Sequence, residues 1–233
     1  MTLKNRTVMV TGAAGHLGKA LAATLRTQGA RLVLVDRQPA ALQRDYGADA
    51  DALLASADLL DRGQLGALMS QAIERFGRVD GLCHLAGGFR MGEAVHETLP
   101  QTWDFMMDLN ARALVNIASV LVPHMIERGG GTIVTVGAAA ALKGTANMGA
   151  YCASKSALIR LTEAMSAELK DKQINVNCVL PSTLDTPDNR AAMPDADPSR
   201  WVAPAALADV IAFLSSDAAR AVHGAAVPVT GLV

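Results

Sequence analysis

Two side chains capable of proton transfer stand four residues apart in the segment Tyr151-Cys-Ala-Ser-Lys155. Residues at positions i and i+4 of a helix lie on one face, so a helix here brings the phenol and the ammonium together. A nearby ammonium lowers the pKa of a phenol from about 10 towards working pH. A phenol tuned in this way can exchange a proton with a carbonyl or imine substrate. A plain surface pair is the alternative, because so short a motif is common.

A glycine-rich turn near the start of the chain has the sequence context of a dinucleotide-binding loop. The apolar run 6–10 predicts a strand, Thr11-Gly-Ala-Ala-Gly-His-Leu-Gly18 follows it, and residues 19–28 predict a helix. In such a unit the first glycine permits the tight turn, the second lets the backbone approach a pyrophosphate, and the third lets the helix pack on the strand. The phosphates then face the positive end of the helix dipole. The candidate cofactor-binding residues here are Gly12, Gly15, His16, Leu17 and Gly18.

The next predicted strand, 31–36, ends in the acid Asp36. A carboxylate at this point accepts hydrogen bonds from an adenosine ribose and repels a 2′-phosphate, so we expect NAD to be preferred and NADP to remain possible. Arg37 could stack on the adenine or hold a 2′-phosphate instead. A turn residue that closes the strand is the alternative for Asp36.

Length and composition narrow the class of protein. The 233 residues are 51% hydrophobic, enough for one domain spanning 1–233 with a sizeable core. The formal net charge is −1 and no basic stripe is visible, so we expect no nucleic-acid partner. The apolar runs are short and interrupted, so we expect no membrane partner either.

The cysteines and the first residues indicate a compartment. Cys83, Cys152 and Cys178 are an odd number of widely spaced residues, which favours reduced thiols. Residues 1–7 lead directly into the first predicted strand, which leaves no room for a signal peptide. We therefore expect a cytoplasmic protein. No metal site is predicted.

Predicted strands alternate with predicted helices along the whole chain. The strands are expected at 6–10, 31–36, 53–58, 81–85, 131–136, 174–179 and 226–229, and the main helices at 19–28, 39–44, 61–76, 102–128, 151–169 and 205–215. This alternation predicts an α/β fold, a doubly wound parallel sheet of about seven strands with helices on both faces.

Taken together, these residues resemble the short-chain dehydrogenase/reductase family over the whole chain. The resemblance implies a single-domain Rossmann-type fold and hydride transfer between a nicotinamide cofactor and a small-molecule substrate. It assigns catalytic roles to Tyr151, Lys155 and Asn110, the last at a helix kink where a water joins the proton relay. It implies further cofactor contacts at Asp58, Leu59, Ala86, Gly87, Pro181, Thr183 and Thr186, besides Tyr151 and Lys155.

Three departures from the family pattern resemble its dihydropteridine reductase branch. Ala138 stands where a serine usually hydrogen-bonds the substrate, His16 replaces the second glycine of the loop, and Leu184–Trp201 follows that branch closely. The resemblance implies a substrate lid at about 182–203 and reduction of a conjugated acceptor, such as a quinonoid dihydropterin, by NADH. An ordinary keto-reductase that recruits Thr145 or a water stays open, as does a non-catalytic dinucleotide-binding regulator.

The resemblance also implies a homo-oligomer, a dimer or a tetramer, paired through the helices at 102–128 and 150–169. An apolar stripe compatible with this pairing, or with a buried face inside one subunit, consists of Ala111, Leu114, Val115, Ala118 and Val122. Substrate specificity is expected to reside in Phe89–Val95, Gly144–Gly149 and Asp185–Trp201.

Overall fold

A parallel sheet of seven strands runs through the computed structural model, which describes residues 2–47 and 49–233. The strand order is β3-β2-β1-β4-β5-β6-β7, and every neighbouring pair is parallel. The strands are β1 (Thr7–Thr11), β2 (Arg31–Asp36), β3 (Ala52–Ser56), β4 (Gly81–His84), β5 (Gly131–Val136), β6 (Ile174–Pro181) and β7 (Ala226–Val229). The predicted doubly wound α/β fold is confirmed. The order reverses between β1 and β4, which opens a crevice at the carboxyl ends of these strands.

Helices cover both faces of the sheet. They are α1 (His16–Thr27), α2 (Pro39–Tyr46), α3 (Arg62–Phe76), α4 (Pro100–Met107), α5 (Ala113–Glu127), α6 (Gly149–Leu169), α7 (Pro187–Ala192) and α8 (Pro204–Leu214). Successive residues of a strand point to opposite faces. Met9 accordingly packs in one core with α3, α5 and α6, while Val8 and Val10 pack in the other with α1 and α8.

The long helix predicted at 102–128 is not regular. α4 and α5 are joined by one turn of π-helix, Asp108–Arg112, and this turn contains Asn110. A π-turn widens the helix locally and is frequent at functional sites. At Asn110, where a kink was expected, the structure has this π-turn.

The same stretch bears on the expected absence of a membrane span and on the expected apolar stripe. By length and composition the 28 residues Pro100–Glu127 could cross a membrane, contrary to the expectation that no apolar run is long enough. Leu114, Ile117 and Leu121 are fully buried in the core with Met9 of β1, so their apolar character serves internal packing. The expected stripe is also divided: Leu114 faces the core, whereas Val115 is 41% exposed. Burial inside the subunit accounts for two of the five residues of the stripe, Ala111 and Leu114.

The segment expected to act as a lid is a loop whose two ends are joined by backbone hydrogen bonds. Leu184 and Val202 form a parallel bridge, and the Asp185 amide donates to the Val202 carbonyl at 2.8 Å. The Val202 amide donates in turn to the carbonyl of Thr183 at 2.9 Å. Between these points lie α7 and a short 3₁₀-helix, Pro198–Arg200.

Candidate active site

The glycine-rich turn after β1 lies against the turn after β4. Gly12 has φ of +70°, and a Cβ on it would lie 2.9 Å from the backbone nitrogen of Ala86, so conformation and space both require glycine. A Cβ on Gly18 would overlap the carbonyl oxygens of Gly12 and Ala13. Gly18 therefore lets α1 pack on the turn itself, rather than on the strand as expected. α1 begins at His16, whose side chain is exposed.

Asp36 is held at the end of β2 by backbone donors. Its carboxylate accepts from the amide of Ala14 at 3.0 Å and from the amide of Gln38 at 3.2 Å. The first of these bonds ties the acid to the glycine-rich turn. Arg37, directly after it, is exposed.

A cavity of about 150 Å³ opens beside this carboxylate, at the crevice between β1 and β4. Its lining brings together seven of the residues predicted to bind the cofactor: Gly12, Asp36, Arg37, Asp58, Leu59, Ala86 and Gly87. A carboxylate that can accept from a ribose, glycine backbone and apolar walls are the groups that an adenosine needs. The residues present therefore fit the cofactor.

Asn110 connects the π-turn to the loop after β4 and to α6. Its amide oxygen accepts from the Gly88 amide at 2.9 Å, and its amide nitrogen donates to the Gly88 carbonyl at 3.1 Å. The same nitrogen donates to the hydroxyl of Ser154 at 3.0 Å. Ser154 donates in turn to the carbonyl of Tyr151 at 2.9 Å. Asn110 is fully buried, so these bonds fix its position between the loop and the helix that carries the tyrosine.

Lys155 is buried one turn after Tyr151 on α6. Its ammonium donates to the carbonyl of Val136, at the end of β5, at 2.7 Å. Burial lowers the pKa of Lys155 to about 8, since desolvation disfavours the charged form.

Tyr151 differs from expectation in its acidity. Its ring meets Phe89 edge to face, with centroids 4.8 Å apart and planes at 88°. Burial, with a smaller effect of Cys152, raises the pKa of Tyr151 to about 12. The expectation that Lys155 lowers this pKa is wrong for the structure described here, because desolvation of the phenolate is the largest influence on it.

The position expected to hold a serine offers no hydroxyl. Ala138 has extended backbone, φ −159° and ψ 146°, and is 5% exposed at the end of β5. Thr145, the alternative donor, lies in an exposed turn, where its carbonyl accepts from the Met148 amide at 3.2 Å.

The residues expected on the nicotinamide side lie at the end of β6 and at the start of the expected lid segment. Pro181 is the last residue of β6. Thr186 is buried, and its hydroxyl accepts from the Asn189 amide at 3.2 Å as the N-cap of α7. Thr186 therefore has a structural role as a helix cap that was not expected. Its hydroxyl can still donate a hydrogen bond.

Two residues of the site, Ser154 and His84, were not predicted from the sequence. Ser154 could have been found, since it lies within the tyrosine–lysine motif, three residues after Tyr151. His84 had no such signal: its Nδ1 lies 3.0 Å from the hydroxyl of Thr11, which also accepts from the Ala86 amide at 3.3 Å. Burial lowers the pKa of His84 to about 3, with a smaller effect of Lys155, so the ring is neutral.

The three cysteines are buried free thiols. Within the part of the chain that the structure describes, no three His, Cys, Asp or Glu side chains are grouped as metal ligands would be.

This fold and site define a known class of enzyme. The family model described as short chain dehydrogenase matches residues 6–197. The chain belongs to this family and is an NAD(P)-dependent oxidoreductase.

Characterised relatives are similar over nearly their whole length. The chain is 30% identical to 2-(S)-hydroxypropyl-CoM dehydrogenase 3 of Xanthobacter autotrophicus, covering 98% of this chain and 96% of that one. It is 28% identical to a 3-oxoacyl-[acyl-carrier-protein] reductase of Thermotoga maritima, covering 99% and 98%.

Solved structures agree with the fold. The crystal structure of levodione reductase superposes with a TM-score of 0.91 at 28% identity, covering 98% of this chain and 97% of that one. The 3-ketoacyl-(acyl-carrier-protein) reductase of Brucella melitensis, solved with NADH, gives 0.90 at 28% identity, covering 99% and 98%.

Proposed function

We propose that the protein uses NADH to reduce a conjugated acceptor of the quinonoid dihydropterin type. The observation that carries this proposal is the buried Ala138, at the position where the family has a serine, in a chain that has Tyr151, Lys155 and Asn110. A simple ketone develops negative charge on one oxygen and gains several kcal/mol from a second donor there. A quinonoid ring spreads that charge over its conjugated atoms, so it needs the second donor much less.

The side chains suit proton donation to such an acceptor. When bound, a nicotinamide supplies the hydride. A Tyr151 pKa of about 12 keeps the phenol protonated at neutral pH, as a proton donor must be. Lys155 would hold the nicotinamide ribose and favour the tyrosinate left after proton transfer. Asn110 would hold the π-turn, the loop after β4 and α6 in fixed positions relative to one another.

We propose NAD rather than NADP as the preferred cofactor. The carboxylate of Asp36 lines the same cavity as Gly12 and is oriented by the amides of Ala14 and Gln38. A 2′-phosphate placed there would meet a fixed negative charge. The residues proposed on the nicotinamide side are Pro181, Thr183 and Thr186.

A keto-reductase or alcohol dehydrogenase is the second candidate. The names of the relatives favour it, since they include a 3-oxoacyl reductase and a hydroxypropyl-CoM dehydrogenase. In this case a residue other than Ala138 must supply the second donor. The regulator considered from the sequence is not proposed, because the chain belongs to an enzyme family.

A panel of acceptors separates the two candidates. NADH oxidation would be measured with a quinonoid dihydropterin, plain quinones and β-keto esters. We expect turnover of the first two and little of the third. Turnover of the keto esters alone would select the keto-reductase.

We also propose the wider organisation that the family resemblance implies. The whole chain would act as one NAD(P)-binding domain, with 182–203 as the substrate lid. Trp103, Val115 and Ile126 are 45%, 41% and 42% exposed on α4 and α5, which supports pairing of subunits through these helices. Light scattering that shows a stable monomer at micromolar concentration would contradict the pairing.

The buried free thiols support a reducing compartment such as the cytoplasm.

A further inference from the structure

A second cavity, also of about 150 Å³, lies against the first turn of α6, just before Tyr151. Its other wall is the segment between β4 and α4. The residues that line the cavity include Arg90, Glu93, Thr102, Asn147, Gly149 and Ala150. Pockets for whole ligands have volumes of roughly 300–1,000 Å³. The cavity is therefore of a size to hold one part of a substrate rather than all of it.

Arg90, an exposed residue, supplies hydrogen-bond donors to this cavity. Its guanidinium lies 3.9 Å from the ring centroid of Phe105. Within residues 2–47 and 49–233 no carboxylate forms an ion pair with it at 4.0 Å or less. Stacking on a ring uses the face of the guanidinium and leaves the N–H groups at its edge available.

Glu93 gives the cavity a fixed set of acceptors. One carboxylate oxygen accepts from the Thr102 hydroxyl at 3.0 Å, and the other from the Leu99 amide at 3.3 Å. Each oxygen can accept a second hydrogen bond, so acceptor capacity remains. Because Arg90 and Glu93 both line the cavity, their formal charges cancel, and an anion attracted by one would be repelled by the other.

The wall and the helix are tied to each other. The Gly92 amide donates to the carbonyl of Asn147 at 2.8 Å. A Cβ on Gly149 would lie 2.9 Å from a methyl group of Val95, so these segments are in close contact. The two walls of the cavity are thus held together before a ligand arrives, which lowers the entropy cost of binding.

We propose that this cavity recognises an amide-type edge of the substrate, a ring carbonyl beside a ring N–H. Arg90 would donate to the carbonyl oxygen, and Glu93 would accept from the N–H. Phe89, the residue before Arg90, contacts Tyr151 edge to face, and the cavity borders the first turn of α6, which carries Tyr151. The substrate class is a conjugated heterocycle with such an edge, in preference to a plain quinone. This inference rests on the proposed function.

The test compares two acceptors in matched variants. Arg90→Met and Glu93→Gln would be assayed with a quinonoid dihydropterin, which has the amide-type edge, and with a plain quinone, which lacks it. Arg75→Met and Glu74→Gln are the controls, since both residues are exposed on α3, away from the cavity and from the helices expected to pair subunits. We expect each cavity variant to lower kcat/KM for the dihydropterin at least about ten-fold more than for the quinone, as loss of a charged hydrogen bond would. The Kd for NADH should not change in any variant.

Two outcomes would overturn the subsite. Equal losses with both acceptors would mean that Arg90 and Glu93 only support the loop. A gain in Glu93→Gln for a carboxylate-bearing acceptor, without loss for the dihydropterin, would mean that the cavity takes anions.

Failure of the proposed function can be distinguished from failure of the subsite. If the wild type reduces no quinonoid acceptor, the proposed function fails, and the same variants are then compared on β-keto amides and the matching β-keto esters. Equal losses on that pair would overturn the subsite, and a selective loss for the amide would support it independently of the acceptor chemistry.

Discussion

Asn110 and Lys155 converge on the same point above Gly87. A Cβ built on Gly87 would lie 2.9 Å from the amide oxygen of Asn110 and 3.0 Å from the ammonium nitrogen of Lys155. The two side chains come from different helices, and the glycine belongs to the loop after β4. The space that a methyl group on Gly87 would fill is therefore bordered by the ends of both the Asn110 and the Lys155 side chains.

Replacing Gly87 with alanine should damage both activity and stability. The added methyl must displace the ends of two buried side chains, Asn110 and Lys155, and Asn110 is held by hydrogen bonds to Gly88 and Ser154. We expect kcat/KM to fall at least about ten-fold because both groups are misplaced, and the melting temperature to fall as well. Gly66→Ala in α3 is the control, since its Cβ would meet nothing within 4 Å. That variant should gain about 0.5–1 kcal/mol of stability at unchanged activity. A Gly87→Ala enzyme with wild-type kinetics would contradict the prediction.

Tyr151→Phe and Ala138→Ser together test the acceptor. With a conjugated substrate, loss of the Tyr151 hydroxyl should reduce kcat steeply, whereas a new hydroxyl at position 138 should change it little. With a simple ketone, Ala138→Ser should raise kcat/KM by about ten-fold or more, because a transition-state hydrogen bond is restored. Steady-state kinetics of both variants decide between the two, and a large gain from the serine would refute the quinonoid proposal.

Asp36 should set the preference for NADH over NADPH. The wild type is expected to favour NADH by roughly 1–3 kcal/mol, because the fixed carboxylate repels a 2′-phosphate. Asp36→Asn should remove most of this difference, while Asp171→Asn, at an exposed position outside the cofactor cavity, should leave it intact. Titration calorimetry measures both. NADPH binding to the wild type as tightly as NADH would contradict the prediction and point to Arg37.

The lowered pKa of Lys155 predicts a limit on the alkaline side. With a pKa of about 8, the buried ammonium is charged below that pH and loses its proton above it. If the charged form holds the cofactor ribose, the affinity for NADH and kcat/KM should both decline above pH 8, by up to about ten-fold per pH unit. A profile of kcat/KM from pH 6 to 10 tests this. A flat profile up to pH 10 would show that the ammonium is not required or stays protonated.

His84 should make the fold sensitive to mild acid. Its pKa of about 3 in the folded protein lies below the ordinary value of 6.5, because burial disfavours the charged ring. Between these values the unfolded chain binds one more proton, so stability falls as pH falls from 6.5 towards 3. The contribution of this group is about 1.4 kcal/mol per pH unit.

His84→Asn, which cannot titrate, should flatten the dependence of the unfolding free energy on pH between 6.5 and 4.5. Urea unfolding at a series of pH values measures it. His124, whose pKa is also lowered by burial, is present in both proteins and does not affect the comparison. Identical slopes for the two proteins would show that His84 is protonated in the fold or is not buried.

The sequence by itself determined the fold class and the position of the elements. Alternating apolar runs and amphipathic segments define strands and helices locally. Residues that end helices are also visible in the sequence: Asp61 caps the start of α3, and Gly77 follows its last residue with φ of 78°. The closeness of Gly12 and Asp36 could be predicted for the same reason, since they lie at the ends of adjacent strands and meet once those strands pair.

Only the tertiary structure decided how the site is tuned and what surrounds it. The acidity of Tyr151 depends on burial, which is produced by segments far from it in sequence, and the expectation drawn from Lys155 alone was wrong. The π-turn at Asn110, the cap formed by Thr186 and the cavity between Arg90 and Glu93 depend on packing between elements. Local sequence patterns specify which elements form, whereas desolvation and the space between side chains arise only when those elements come together.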